Sequence, residues 1–176
     1  MRKSRIAVAG ALAAGALLAG CGATGGSPAP SEQPAGPSPL AAMDPCNVVP
    51  ANELQRLGVT EPGEAVDEGI GEPGCDFSAE DYLLTIYKAE KNDLAYWEGQ
   101  KGKFGIFEPN QVGSHKGIKA VLTGSMGSGL CRQIVETGGG SVSVAVKYNS
   151  DKNPGDEATC AKAMEIAQVV EPGLPK

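Results

Sequence analysis

A cysteine near the N-terminus carries the clearest chemistry in the chain. Cys21 ends the run Leu18-Ala19-Gly20-Cys21, and small residues directly before it are typical of a peptide-bond cleavage site. Cleavage there would make Cys21 the new N-terminus. Its thiol would then be a nucleophilic sulfur at the start of the chain, available for covalent modification.

The residues before Cys21 support this interpretation. The first five residues contain three positive charges, and residues 6–18 form an uncharged apolar stretch of 13 residues. A helix needs about 20 apolar residues to cross a bilayer, so this stretch is too short. The arrangement resembles the lipobox of bacterial lipoproteins. This resemblance implies that residues 1–20 are a signal peptide and that the Cys21 sulfur carries a diacylglyceryl group through a thioether. The alternative is an ordinary secretory signal followed by a cysteine only by coincidence.

Lipidation would decide where the protein lies, because the remaining chain is strongly acidic. The intact chain has 15 basic and 21 acidic side chains, and loss of the signal peptide leaves a net charge of −9. Nucleic acid and anionic lipid head groups both attract basic surfaces, so neither is an expected partner. Two acyl chains such as palmitate hold a soluble domain on a membrane, whereas one binds only marginally. We therefore expect lipid anchoring at Cys21 on the outer face of the cell membrane.

The other four cysteines predict two disulfides. Cys46, Cys75, Cys131 and Cys160 are even in number and widely spaced in a chain predicted to be exported. No two of them form a Cys-x-x-Cys pair, so zinc and dithiol redox motifs are not expected. Four cysteines allow three pairings, and the residues alone leave all three open.

The sequence contains no recognisable catalytic or metal-binding arrangement. Its single histidine, His115, lies in a polar segment predicted to be an exposed loop, and no serine occupies a Gly-x-Ser-x-Gly elbow. Residues 151–156 match a calcium loop only in part, and we expect neither a metal nor a cofactor. One group of carboxylates keeps open the alternative of a hydrolase acting on cell-wall polymer: Glu61, Glu64, Asp67 and Glu68.

Half of the eight aromatic residues lie within twelve positions of one another. They are Tyr96, Trp97, Phe104 and Phe107. Lysines and glycines lie between them, and such a stretch is typical of an adaptable contact surface. The alternative is that Trp97 and Phe107 fill the core beneath a sheet.

The chain divides into a tether and one folded domain. Residues 21–43 are rich in proline, glycine and serine, with one charge and no aromatic residue. Such a stretch buries too little apolar surface to fold, and its prolines favour extended conformations. Residues 44–176 suit a single extracytoplasmic domain in length.

The pattern within this domain predicts an α+β fold. Helices are expected over 50–57, from a cap at Asn92 to Gly99, and over 156–170; strands are expected over 75–78, 82–88, 118–122, 130–136 and 141–148. Residues 61–74 and 100–116 are expected to be irregular. This order implies an antiparallel sheet of about five strands, backed by two or three helices and cross-linked by two disulfides.

Several short motifs resemble those of a known family. They are Asp44-Pro45-Cys46, Gly74-Cys75-Asp76-Phe77, an isolated Cys131, and Cys160-x-x-Ala163-x-x-Ile166-Ala167 followed by Leu174-Pro175. On these residues, positions 44–176 resemble the actinobacterial lipoproteins that share the domain of unknown function 3558. Two positions differ from the family pattern. Phe77 stands where the family often has tryptophan, and Val49-Pro50 stands where its first helix often begins with Thr-Pro.

The resemblance implies a lipobox and a tether, and it favours the disulfides Cys46–Cys160 and Cys75–Cys131. It assigns no activity. We therefore expect a binding or accessory module of the cell envelope rather than an enzyme, with an envelope protein, a glycan or a small ligand as its partner. The alternative is a carrier that holds a lipid or small hydrophobic ligand between the sheet and the helices.

Overall fold

The structure is a computed structural model that describes residues 38–59 and 62–176. The predicted signal peptide, Cys21 and most of the predicted tether lie outside these residues. The α-helices in the described part are α1 (Ala51–Arg56), α2 (Leu94–Gly99) and α3 (Asp156–Val170). The strands there are β1 (Glu64–Val66), β2 (Gly74–Ser78), β3 (Tyr82–Ala89), β4 (Phe104–Val112), β5 (His115–Leu122), β6 (Leu130–Thr137) and β7 (Gly140–Tyr148). None of the described helices is long and apolar enough to span a membrane.

The described strands form one antiparallel sheet in the order β1-β2-β3-β7-β6-β5-β4. Strands β1–β3 form one meander and β4–β7 form a second, and the pairing of β3 with β7 joins the two. The connection from β3 to β4, residues 90–103, must therefore pass from the middle of the sheet to its far edge. It carries α2 and a 3-10 helix at Lys101–Lys103 across one face of the sheet.

Side chains alternate across each strand, so the sheet has two faces of different character. On one face, Val142, Val144 and Val146 of β7 pack with the apolar stripe of α3 in the main core. We call this the covered face. On the other face lie Ser141, Ser143 and Ala145 of β7, and the residues that pair beside them. We call this the open face.

A second, smaller core cluster lies on the open face. Trp97 of α2 is buried there against Ile118, Ala120 and Ile134 of the sheet. The side chains of Leu94, Phe104 and Phe107 pack around this cluster while remaining partly exposed. It fills only the part of the open face above β5 and β6.

The predicted α+β class and antiparallel sheet are confirmed, but the described sheet has seven strands rather than about five. The helix α3 has the predicted bounds, and both predicted hairpins form. Strands β1 and β4 lie in segments that were expected to be irregular. Both are edge strands, and β4 contains Pro109 and a register shift after Phe104, so its apolar residues do not alternate regularly.

The disulfide pairing implied by the resemblance is wrong. The structure joins Cys46 to Cys75 and Cys131 to Cys160, each with a Cα–Cα distance of 5.1 Å. Strands β3 and β7 lie between β2, which carries Cys75, and β6, which carries Cys131. Three strand spacings are about 14 Å, and a disulfide spans at most about 7 Å between Cα atoms. The intervening strands therefore exclude the Cys75–Cys131 link.

The described chain begins within the segment predicted to be tether, and this part packs on the domain. A 3-10 helix occupies Pro39–Ala42, and the hydroxyl of Ser38 accepts a hydrogen bond from the Ala41 amide within it. Leu40 is fully buried in the main core, where it lies against Gly138 and Gly140. A side chain at either glycine would meet Leu40, so the glycine turn between β6 and β7 makes room for it.

Candidate binding cleft

A cleft of about 460 Å³ lies on the open face. Its volume is in the range of about 300–1,000 Å³ that is typical of small-molecule sites. The floor of this open-face cleft is formed by the central strands β3, β7 and β6, through Leu83, Thr85, Tyr87, Leu130, Arg132 and Ala145. The register explains the grouping, because Thr85 pairs with Ala145 and Ala145 pairs with Arg132.

One wall of the cleft is α2 with the turn that follows it. Asp93 caps α2, since its carboxylate accepts a hydrogen bond from the Tyr96 amide at 2.8 Å. Trp97 is only 6% exposed, and its indole Nε1–H donates to Ser141 Oγ at 3.0 Å. The Ser141 hydroxyl in turn donates to the carbonyl of Asn92. These bonds fix the wall to strand β7.

The opposite wall is the connection between β1 and β2. Gly69 and Gly71 have positive φ values and allow this segment to fold back over the sheet. Glu72 is 5% exposed, and its carboxylate accepts hydrogen bonds from Arg132 Nη1 at 3.0 Å and from Asn92 Nδ2 at 3.2 Å. Loss of the Arg132 partner is costly, because Glu72 alone is a buried unpaired charge. The Glu72 carboxylate therefore holds this wall to the floor.

Exposed apolar side chains gather at the mouth of the cleft. Among the described residues the large hydrophobic side chains that are most exposed are Ile70 (60%), Met126 (45%), Leu122 (43%) and Tyr96 (42%). Three of them line the cleft, namely Ile70, Leu122 and Tyr96. Contiguous exposed apolar surface is typical of interaction sites in proteins.

The cleft is slightly basic in an otherwise acidic chain. Its lining has three cationic side chains, Lys103, Arg132 and Lys147, and two anionic ones, Glu68 and Glu72. The whole chain has a net charge of −6. The guanidinium carbon of Arg132 lies 4.7 Å from the centre of the Tyr87 ring, which orients the cation over the floor.

Comparison with known proteins gives one result. The model of a family described as protein of unknown function (DUF3558) matches residues 16–172. The chain belongs to this family. No curated protein and no solved structure matches the chain significantly. The geometry of the cleft in this family member therefore has to be interpreted from its own residues.

The four aromatic residues predicted to form either a contact surface or part of the core are divided between the two. Trp97 belongs to the smaller core cluster, as the alternative interpretation expected, whereas Tyr96 stands exposed at the cleft mouth. Phe104 lines the cleft, and Phe107 packs beside it with a ring-centroid distance of 5.4 Å. Whether this family member contacts a partner through them stays a prediction.

Sequence reasoning missed the polar pair at the cleft and most of its floor. Glu72 lies in the glycine-rich β1–β2 connection, and Arg132 lies 60 residues later within β6. No local pattern links two positions so far apart in the chain. The composition of β6 gives no signal either, since this strand also contains Gln133 and Glu136.

His115 is more enclosed than the predicted exposed loop. It begins strand β5, its Nδ1 lies 2.8 Å from the Glu136 carbonyl oxygen, and its Nε2 lies 3.7 Å from Glu171 Oε1. Ser114 donates its hydroxyl hydrogen bond to Glu171 rather than to the imidazole. Ser114, His115 and Glu171 therefore lack the serine-to-histidine hydrogen bond that activates a nucleophile.

Hydrogen bonds from the Ser114 backbone and hydroxyl lower the pKa of Glu171, and the nearby His115 adds to the effect. These contacts connect the β4–β5 turn to the end of α3. They stabilise the charged form of the carboxylate.

The carboxylates considered for hydrolysis lie in different surroundings. Glu61 lies outside the described part of the chain. Glu64 is exposed on β1, Asp67 accepts a hydrogen bond from the Gly69 amide, and Glu68 lies at the cleft. Within residues 38–59 and 62–176, no three histidine, cysteine or acidic side chains come together as a metal site.

Proposed function

We propose that this protein is a membrane-anchored, extracytoplasmic lipoprotein of the cell envelope that binds a small apolar or amphipathic ligand in the open-face cleft. The observation that carries the proposal is the cleft itself. It is concave, it lies between two walls fixed by hydrogen bonds, and exposed apolar side chains lie at its mouth.

The anchoring part of the proposal is supported by the sequence around Cys21. The family match begins at residue 16 and therefore includes this motif. The sixteen residues between Cys21 and Ser38 would reach at most about 60 Å when fully extended. That length allows the domain to stand clear of a membrane surface.

The lining of the cleft favours binding over catalysis. The Glu72 carboxylate is paired with the Arg132 guanidinium, and the other polar groups of the lining are the Glu68 carboxylate and amide, hydroxyl and ammonium groups. Most of the lining is apolar or aromatic. Such a lining favours a carrier of a lipid or small hydrophobic molecule. It favours this function over that of an accessory protein that docks another protein.

The anchor is tested by Cys21→Ser expressed from the full-length gene in a bacterial host that lipidates exported proteins. We expect the variant to move from the membrane fraction to the medium, because no acyl chain remains on the protein. Wild type processed in parallel is the control. Retention of the unlipidated variant in the membrane fraction would contradict the anchoring proposal.

The cleft is tested by native mass spectrometry of the Cys21→Ser protein purified from the medium. We expect an apolar adduct on this protein, and loss of the adduct when Ala145 on the cleft floor is replaced by leucine. Ala161→Leu, on the exposed side of α3, is the matched control and should keep the adduct. A protein without any adduct, or an adduct that persists in Ala145→Leu, would contradict the proposed function.

A further inference from the structure

Arg132 has hydrogen-bonding capacity that the described residues do not use. A guanidinium carries five N–H donors, and its only hydrogen bond within the described part of the chain goes from Nη1 to Glu72. Its side chain is 21% exposed and lines the cleft, so the remaining donors are accessible from inside it. Stacking on Tyr87 restricts the plane of the guanidinium. Arg132 therefore presents an oriented cation at the floor.

A second cation lies one step along the same face. Lys147 pairs with Leu130, and Ala145 pairs with Arg132, so the backbone positions of Lys147 and Arg132 are one side-chain repeat, about 7 Å, apart along adjacent strands. The Lys147 ammonium donates a hydrogen bond to the Ser128 carbonyl. Lys103 approaches from the wall that follows α2. Together with Arg132 these residues make one side of the cleft basic, although the chain as a whole is acidic.

Most of the other lining residues are apolar or aromatic, and this restricts the class of ligand. A wholly apolar molecule would remove water from the unused donors of Arg132 without replacing its hydrogen bonds, which is unfavourable. A small inorganic anion would leave the apolar mouth around Ile70, Tyr96 and Leu122 in water. Only a molecule with both an acidic head and an apolar body satisfies the two halves of the cleft.

We infer that the open-face cleft binds amphipathic anions, with a carboxylate or phosphate head group on Arg132 and an apolar chain between the two walls. This inference rests on the proposed function. The head group accepts charge-assisted hydrogen bonds from the guanidinium, and Arg is well suited to such planar contacts. The apolar chain covers Ile70, Tyr96 and Leu122 at the mouth.

The fluorescence of Trp97 gives a direct readout, because it is the only tryptophan in the chain and it lines the cleft. The Cys21→Ser protein, stripped of any co-purified ligand, is titrated with dodecanoate and dodecyl phosphate below their micelle concentrations, with dodecanol below its solubility limit, and with inorganic phosphate. We expect at least one of the two acids to bind about tenfold or more tightly than dodecanol, since a charge-assisted hydrogen bond distinguishes them. Inorganic phosphate should give no saturable change in the same range. The two acid titrations distinguish a carboxylate from a phosphate head group.

The double variant Glu72→Gln with Arg132→Gln tests the role of the cation without leaving an unpaired buried charge. Its preference for the acid over dodecanol should fall to within about twofold, because a glutamine amide makes only weaker, neutral hydrogen bonds. The matched control is Glu108→Gln with Lys119→Gln, which neutralises an ion pair of 2.6 Å outside the cleft. That control should keep the preference for the acid over dodecanol that the Cys21→Ser protein shows.

The titrations of the Cys21→Ser protein keep the inference falsifiable if the double variant fails to fold, because they need no change within the cleft. Equal binding of dodecanol and both acids, or no binding of any amphiphile, would overturn the inference. A folded double variant that keeps the full preference for the acid would also overturn it. A non-acidic adduct that depends on Ala145 would do so while leaving the proposed function standing.

Discussion

The two faces of the sheet are built in different ways. On the covered face, the fifteen-residue helix α3 lies across the strands, and the main core beneath it is continuous. On the open face, the six-residue helix α2 and a glycine-containing connection cover only the two sides and leave a cleft between them. One face therefore provides most of the buried surface, while the other retains room for a ligand.

Strand β7 shows the difference within one element. Its covered-face positions are Val142, Val144 and Val146, whereas its open-face positions include Ser141, Ser143 and Ala145. Branched apolar side chains fill space against α3. Small side chains on the open face leave space above the sheet. The sequence of one strand therefore contributes to both the core and the cleft.

The largest expected effect on stability comes from the two disulfides. All four of their cysteines belong to the main core or pack against it. Replacing Cys131 and Cys160 by alanine should lower the free energy of unfolding by about 3.5 kcal/mol in the chain-entropy model. Replacing Cys46 and Cys75 should cost a similar amount, because both pairs have a sequence separation of 29. Urea denaturation measures both.

Peptide mapping without reduction is the check on that comparison, and it should recover Cys46 linked to Cys75. A map with Cys46 linked to Cys160 would contradict the topology. If removal of the two disulfides lowered the free energy of unfolding by unequal amounts, native packing and not loop closure would dominate their contribution to stability.

A pair of matched isoleucine changes compares the two faces directly. Ile166→Ala on α3 should cost about 3 kcal/mol of unfolding free energy, since Ile166 is fully buried and its removal leaves a cavity. Ile70→Ala at the cleft mouth should change stability by less than about 0.5 kcal/mol, because Ile70 is mostly exposed. Similar costs for both changes, measured by urea denaturation, would contradict the division between the faces.

A smaller effect is expected where the open face is held together by polar contacts. Ser141→Ala removes the acceptor for the buried Trp97 indole, and this should cost about 1–2 kcal/mol. The fluorescence maximum of Trp97 should also shift to longer wavelength as the wall loosens. An unchanged spectrum and unchanged stability would mean that this hydrogen bond does not fix α2 to the sheet.

The periodic elements were predictable from the sequence and the cleft was not. Helix α3 and strand β7 have regular apolar spacing because each buries one side against the core. Strand β4 has no such spacing, since it lies at the edge of the sheet and contains Gly105 and Pro109. Both walls of the cleft come from short or glycine-rich segments, so local patterns do not indicate where they fold.

The disulfide pairing was not predictable for a related reason. It depends on which strands lie between β2 and β6, and the insertion of β3 and β7 is a property of the whole sheet. The pair Glu72–Arg132 likewise exists only because β6 lies beneath the β1–β2 connection. Contacts between distant segments of the chain leave little trace in a single sequence.

The smallest expected effect concerns Glu171 beyond the end of α3, where Ser114 lowers its carboxyl pKa. Because the folded pKa is depressed, this contact stabilises the fold above the unfolded pKa, and the contribution is lost as pH falls through the folded pKa. Ser114→Ala should raise the Glu171 pKa toward its ordinary value, as measured by NMR titration. An unchanged pKa would show that the Ser114 contact does not stabilise the charged carboxylate.

The most direct test of the account is NMR chemical-shift mapping of the Cys21→Ser protein titrated with dodecanoate. If the open face binds ligand and the covered face serves as the scaffold, the largest shifts will occur at Thr85, Arg132 and Ala145 on the cleft floor. The amides of Ala163 and Ile166 in α3 will remain unchanged. Large shifts in α3 with an unperturbed cleft floor would contradict the account.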